Sequence, residues 1–127
     1  MIKPHLVETL QANDADFFYH AQEQILNRAI SPESAACLRG MMQETVRIGT
    51  SKKAFRDLLR KKRFQDLEVG GKTGSLGGES PKGRYDWFVG YASKEGRKIA
   101  LAALTINGLK WRIKASQLAR LFIEKYY

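Results

Sequence analysis

Glu68-Val69-Gly70-Gly71-Lys72-Thr73-Gly74-Ser75 is followed, after a short glycine-rich stretch, by Tyr85-Asp86-Trp87-Phe88-Val89-Gly90-Tyr91-Ala92. The second stretch is aromatic and β-rich and reads as a strand. In the first, a cation, a hydroxyl and a glycine stand in consecutive places. Lys72 brings a compact charge with three donors, and Thr73 brings a hydroxyl that can donate. Gly74 is a place without a side chain, where another backbone can come close. Such a trio can recognise a carboxylate and let another backbone come close.

Working outward, residues 66–75 and 85–92 predict two strands, joined by the Gly- and Pro-containing stretch 76–83 as a loop or flap over a cleft. Ser93-Lys94-Glu95-Gly96 reads as a tight reversal into a third strand, residues 98–106. That run is nearly all apolar, which implies cover on both faces, and Asn107-Gly108 breaks it. Upstream, Ser31-Pro32-Glu33 is a helix start: an N-cap serine, proline at the first helical position and an early acid. Ala35, Leu38, Met42 and Thr45 or Val46 continue at helical spacing, with Gly49 as the stop. A second helix is expected over about 51–63. Ser116 begins a C-terminal helix with Leu118, Leu121, Phe122, Lys125 and Tyr126 at turn spacing, and Phe122, like Trp87, Phe88 and Trp111, is expected to be a core aromatic. Residues 5–11 and 16–22 suggest a short extended pair around Ala12-Asn13-Asp14-Ala15. The expected fold class is α+β: an antiparallel meander of about three main strands with helices packed on it.

A chain of 127 residues suits a single domain over 1–127. No apolar run approaches the roughly 18 residues of a membrane span, and the N-terminus lacks a signal-peptide core. The lone Cys37 excludes an internal disulfide; its helical, apolar surroundings make it a packing residue. The net charge is +9, and residues 52–63 hold seven cations against one anion. Phe55, Leu58 and Leu59 recur there at helical spacing, so the segment is an amphipathic helix with a basic, solvated outer face. No nucleic-acid-binding signature accompanies the charge, and no nucleic-acid partner is expected. His5 and His20 lack an acidic or cysteine cluster, so no metal site and no cofactor are expected.

Taken together, these residues resemble the C-terminal part of a penicillin-binding transpeptidase domain, in the serine β-lactamase and D,D-transpeptidase superfamily. K-T-G is one of three motifs of such proteins. Gly70-Gly71-Lys72-Thr73-Gly74-Ser75 resembles the family's strand beside the catalytic cleft, residues 86–92 its next strand, and residues 99–106 the central one. Met41-Met42-Gln43-Glu44-Thr45-Val46-Arg47-Ile48-Gly49-Thr50 is similar to the family's helix ending in a Gly-Thr step. Ile2-Lys3-Pro4-His5-Leu6-Val7 resembles the segment after the second motif. The resemblance implies a partial β-lactamase-like fold in the bacterial cell envelope. It also implies peptidoglycan stem peptides and β-lactams as ligands of the complete protein. Lys72, Thr73, Gly74 and Ser75 become the substrate-binding residues, with the Ser75 N–H as one oxyanion-hole donor. Tyr85 and Asp86 are further candidates for substrate contact.

The other two motifs, S-x-x-K and S-x-N, occur nowhere in these residues. Thr50-Ser51-Lys52-Lys53 offers only a threonine in a basic helix, and Thr105-Ile106-Asn107 reads as structural. The chain is therefore expected to be the portion that follows the nucleophile, with no catalytic residue of its own. A D,D-carboxypeptidase or β-lactamase fragment, or a small basic module for anionic polymer or membrane, are the alternative readings. The strand 98–106 is expected to present a bare edge, inviting self-association or a chain that supplies the missing half.

Overall fold

The computed structural model describes residues 2–11, 17–108, 110 and 112–127. The chain divides into two compact units, residues 1–35 and 36–127. In the first, β1 (Thr9–Gln11) pairs antiparallel with β2 (Phe17–His20), Thr9 facing His20 and Leu10 facing Tyr19. The ladder continues outward through Ala21 N–H to Glu8 O at 2.7 Å, Lys3 N–H to Gln24 O at 2.8 Å, and an Ile2–Ile25 bridge. The expected extended pair is present; its turn, residues 12–16, lies outside the described residues, as does Trp111. Helix α1 (Pro32–Arg47) starts where Ser31 caps it, the Ser34 N–H donating to Ser31 Oγ at 3.2 Å.

The second unit is built on an antiparallel sheet in the order β3 (Glu68–Glu79), β4 (Lys82–Lys94), β5 (Arg97–Asn107), with α2 (Lys52–Leu59) and α3 (Ala115–Tyr126). This is the expected α+β meander with a C-terminal helix. Glu95 and Gly96 both have positive φ, 51° and 79°, the geometry of a two-residue hairpin turn. Strand register puts Val69, Gly71, Thr73 and Ser75 of β3 on one face with Asp86, Phe88 and Ala92 of β4 and Ala103 and Thr105 of β5. That face meets the helices: Phe55, Leu58, Phe64, Phe88, Ala103, Ala115, Ala119 and Ile123 form the core. The Phe55 and Phe88 rings pack in a tilted pair, with centroids 5.5 Å apart and planes 32° from parallel.

The structure corrects five expectations. The stretch 76–83 is a continuation of the hairpin rather than a loop, since Gly77 pairs with Arg84, Gly78 with Gly83 and Glu79 with Lys82. Helix α2 stops at Leu59, and a 3-10 turn at Lys62–Phe64 follows, which lets the Phe64 ring reach the core. Strand β5 is covered on one face only: Ala103, Thr105 and Asn107 are buried, while Leu104 and Ile106 are exposed. The inward stripe of α3 is Ala115, Ala119 and Ile123; Leu118, Leu121, Phe122 and Tyr126 point out. Small residues let the helix approach the sheet, so the alanines win the contact. Cys37 is exposed, not packed. Gly49 does follow the end of α1, but through a close approach rather than a left-handed turn: a Cβ there would lie 2.8 Å from Thr45 Cα.

Candidate functional site

The sequence-predicted residues Lys72, Thr73, Gly74 and Ser75 lie consecutively on β3, which among the described residues pairs only with β4. Its other edge carries main-chain groups with alternating direction. Two side chains reveal which ones face outward. Thr45 Oγ1 donates to Gly71 O, and Lys72 Nζ donates to Thr73 O at 2.7 Å. Carbonyls spaced by two residues share a direction, so the same parity turns the main chain of Ser75 to the outer edge.

The four side chains take separate positions. Lys72 leaves from the sheet face opposite the core and is exposed, its ammonium returning to the strand edge at the Thr73 carbonyl. Thr73 lies on the core side, half-buried, its hydroxyl 3.0 Å from that of Thr50. At Gly74 an added Cβ would meet nothing nearer than Trp87 Cβ at 3.7 Å, an ordinary contact. Ser75 is exposed, and its Oγ donates to Asp86 Oδ1 at 3.0 Å, so its hydroxyl is engaged across to β4 while its main chain faces the edge.

Asp86 does not reach the surface as expected of a substrate contact. It is buried, and its second oxygen accepts the Ala115 N–H at 2.7 Å. A carboxylate at a helix start satisfies an orphan donor and favours the positive end of the dipole. Asp86 thus ties the strand bearing Ser75 to the start of α3, a positioning role that the aromatic run concealed. Tyr85 donates its hydroxyl to Pro81 O at 3.0 Å, holding the hairpin tip. Asn107 is structural as expected: its side chain reaches Thr105 Oγ1 at 3.2 Å and accepts the Arg112 N–H at 3.2 Å. Beside Ser75 opens a cavity of about 760 Å³, lined by residues of the hairpin tip, including Gly77, Gly78 and Gly83, and by Gly108.

His5 and His20 are both exposed, and among the described residues no group of three His, Cys, Asp or Glu side chains could hold a metal. Among the described residues no helix is long and apolar enough to cross a membrane.

Compared with protein-family models, residues 1–120 match the penicillin binding protein transpeptidase domain. The chain belongs to that family. No curated protein and no solved structure matches it. Penicillin-binding transpeptidase domains generally act in the cell envelope outside the cytoplasm.

Proposed function

We propose that the outer edge of β3 is the substrate-binding wall of a D,D-transpeptidase that cross-links peptidoglycan stem peptides, and that β-lactams occupy the same edge by mimicry. The observation that carries this reading is the parity of the edge. The Lys72 ammonium and the outward main chain of Thr73 and Ser75 lie along one line, and Gly74 leaves room for a second backbone. A stem peptide would add as a strand, its terminal carboxylate attracted by Lys72 and its main chain bonded to β3. The Thr73 hydroxyl, now shared with Thr50, would turn to that carboxylate on binding. The Ser75 N–H would serve as one oxyanion donor, a type of contact worth about 2.7–4 kcal/mol in the transition state.

These residues hold no S-x-x-K nucleophile. The chain is accordingly read as the C-terminal, K-T-G-bearing portion of the catalytic unit. The serine would come from residues beyond these, docked on the open edge of β5 or supplied by a second chain. Whether the acyl group passes to an amine or to water depends on the acceptor, so a carboxypeptidase or β-lactamase would use the same wall. Calorimetric titration of the whole chain with an acyl-D-Ala-D-Ala peptide tests the reading. Lys72→Ala should weaken binding by about 10- to 100-fold, the worth of a charge-assisted hydrogen bond. Equal affinity of the parent and Lys72→Ala chains would refute it.

A further inference from the structure

A second concavity, which Lys72 does not line but which meets the K-T-G strand where the Thr50 hydroxyl lies 3.0 Å from that of Thr73, opens between the start of α2 and the start of α3. Its volume is about 280 Å³, and Thr50, Lys53, Arg112, Lys114, Ser116 and Gln117 are among its lining residues. Three of these are cations, and no acidic residue lines the space. Elsewhere in this unit several cations do sit beside acids. Lys61, Arg63 and Arg120 converge on Glu124, Lys94 lies by Asp66 and Glu95, and Arg56 by Asp57. Among the described residues Lys53 and Arg112 enter no ion pair.

The backbone that carries two of the three cations is pinned. The Arg112 N–H donates to Asn107 Oδ1 at 3.2 Å, and Ile113 O accepts Thr105 Oγ1 at 3.2 Å and Asn107 Nδ2 at 3.4 Å. The Lys114 N–H donates to Gln117 Oε1 at 2.9 Å, and the Ala115 N–H to Asp86 at 2.7 Å. Cations gathered around one pocket repel one another, and an anion between them relieves that repulsion. The positive end of α3 adds to the same potential. The Thr50 and Ser116 hydroxyls and the Gln117 amide supply neutral donors.

We propose that this pocket is an anion subsite that takes one oxyanion group, a phosphate or a carboxylate, held by Lys53, Arg112 and Lys114. Its volume lies just below the range of ligand pockets, which suits a single charged group rather than a whole molecule. The assignment is independent of the role given to Lys72, which does not line the pocket.

Amide chemical shifts of the full chain, followed during titration with inorganic phosphate and separately with succinate at constant ionic strength, test it. Saturable shifts confined to residues 50–54 and 112–117 are expected. Saturation by phosphate alone assigns a phosphate group, by succinate alone a carboxylate, and by both a general oxyanion site. The double variant Lys53→Gln, Arg112→Gln should weaken binding about tenfold or more, since each removes a charge-assisted contact. Lys53→Gln alone, an exposed helix position, should weaken it several-fold and serves if the double variant does not fold. Lys62→Gln, on the basic segment outside the pocket, should leave affinity within twofold. Shifts that grow linearly and spread along residues 52–63, or an equal loss in Lys62→Gln, would overturn the proposal in favour of diffuse attraction by the net charge.

Discussion

At Gly71 an added Cβ would lie 2.1 Å from the Phe88 ring, whereas at Gly74, three residues along the same strand, the nearest atom is Trp87 Cβ at 3.7 Å. The first glycine answers to the interior. Phe88 is fully buried against Phe55, and its ring covers the place where a side chain at 71 would stand. The second glycine answers to nothing within the chain. A strand pays for glycine in entropy, and the proposed function gives Gly74 a reason to be there: a backbone approaching from outside. On the proposed function, one short stretch has a structural end and a functional end, with the boundary at Lys72.

The sharpest way to break this comparison is at the structural end. Gly71→Ala should cost about 3 kcal/mol or prevent folding, since overpacking a filled core cannot be relieved by a fully buried ring. Urea denaturation reads this directly, and unchanged stability would remove the distinction. Asp86→Ala should follow at about 2 kcal/mol, because it leaves the Ser75 hydroxyl and the Ala115 N–H without their acceptor. The same variant should loosen the start of α3, seen as faster amide exchange at residues 115–118. Gly74→Ala should shift stability by less than about 1 kcal/mol, with stabilisation the expected sign. Its effect should appear instead as lost affinity for an acyl-D-Ala-D-Ala peptide.

The smallest expected effect lies far from β3. The Lys61 hydrogen bond, joined by Arg120 and opposed by burial, holds the Glu124 carboxyl below its usual range. A group depressed in the folded state stabilises above its unfolded pKa and loses that contribution as pH falls through the folded value. Glu124→Gln should therefore lower stability slightly at pH 7, by under about 1 kcal/mol. The gap should close as the pH drops below about 4. A gap that widens in acid would contradict the assignment.

Much of this was legible from local signals. Ser31-Pro32 starts a helix, Glu95-Gly96 turns a hairpin, and the aromatic run pairs with the K-T-G strand, because caps, turns and period-two patterns act within a few residues. Choices made by distant partners were not legible. Helix α3 offers one stripe of Leu118, Leu121 and Phe122 and another of Ala115, Ala119 and Ile123, and only the sheet decides between them. The glycines at 77, 78 and 83 suggested a loop, yet they serve a continued ladder, one of them beneath the Tyr85 ring. At the candidate site, Lys72 to Ser75 were visible as a motif. The inward turn of Asp86 depends on the start of α3, 29 residues later, and no local pattern marks it.

The central claim is that β3 presents a peptide- and carboxylate-binding edge without a nucleophile behind it. Residue-resolved amide shifts of the whole chain, titrated with an acyl-D-Ala-D-Ala peptide, test it most directly. The account expects saturable shifts centred on Lys72, Thr73, Gly74 and Ser75 that vanish in Gly74→Val. Shifts that bypass β3, or that survive unchanged in Gly74→Val, would contradict it.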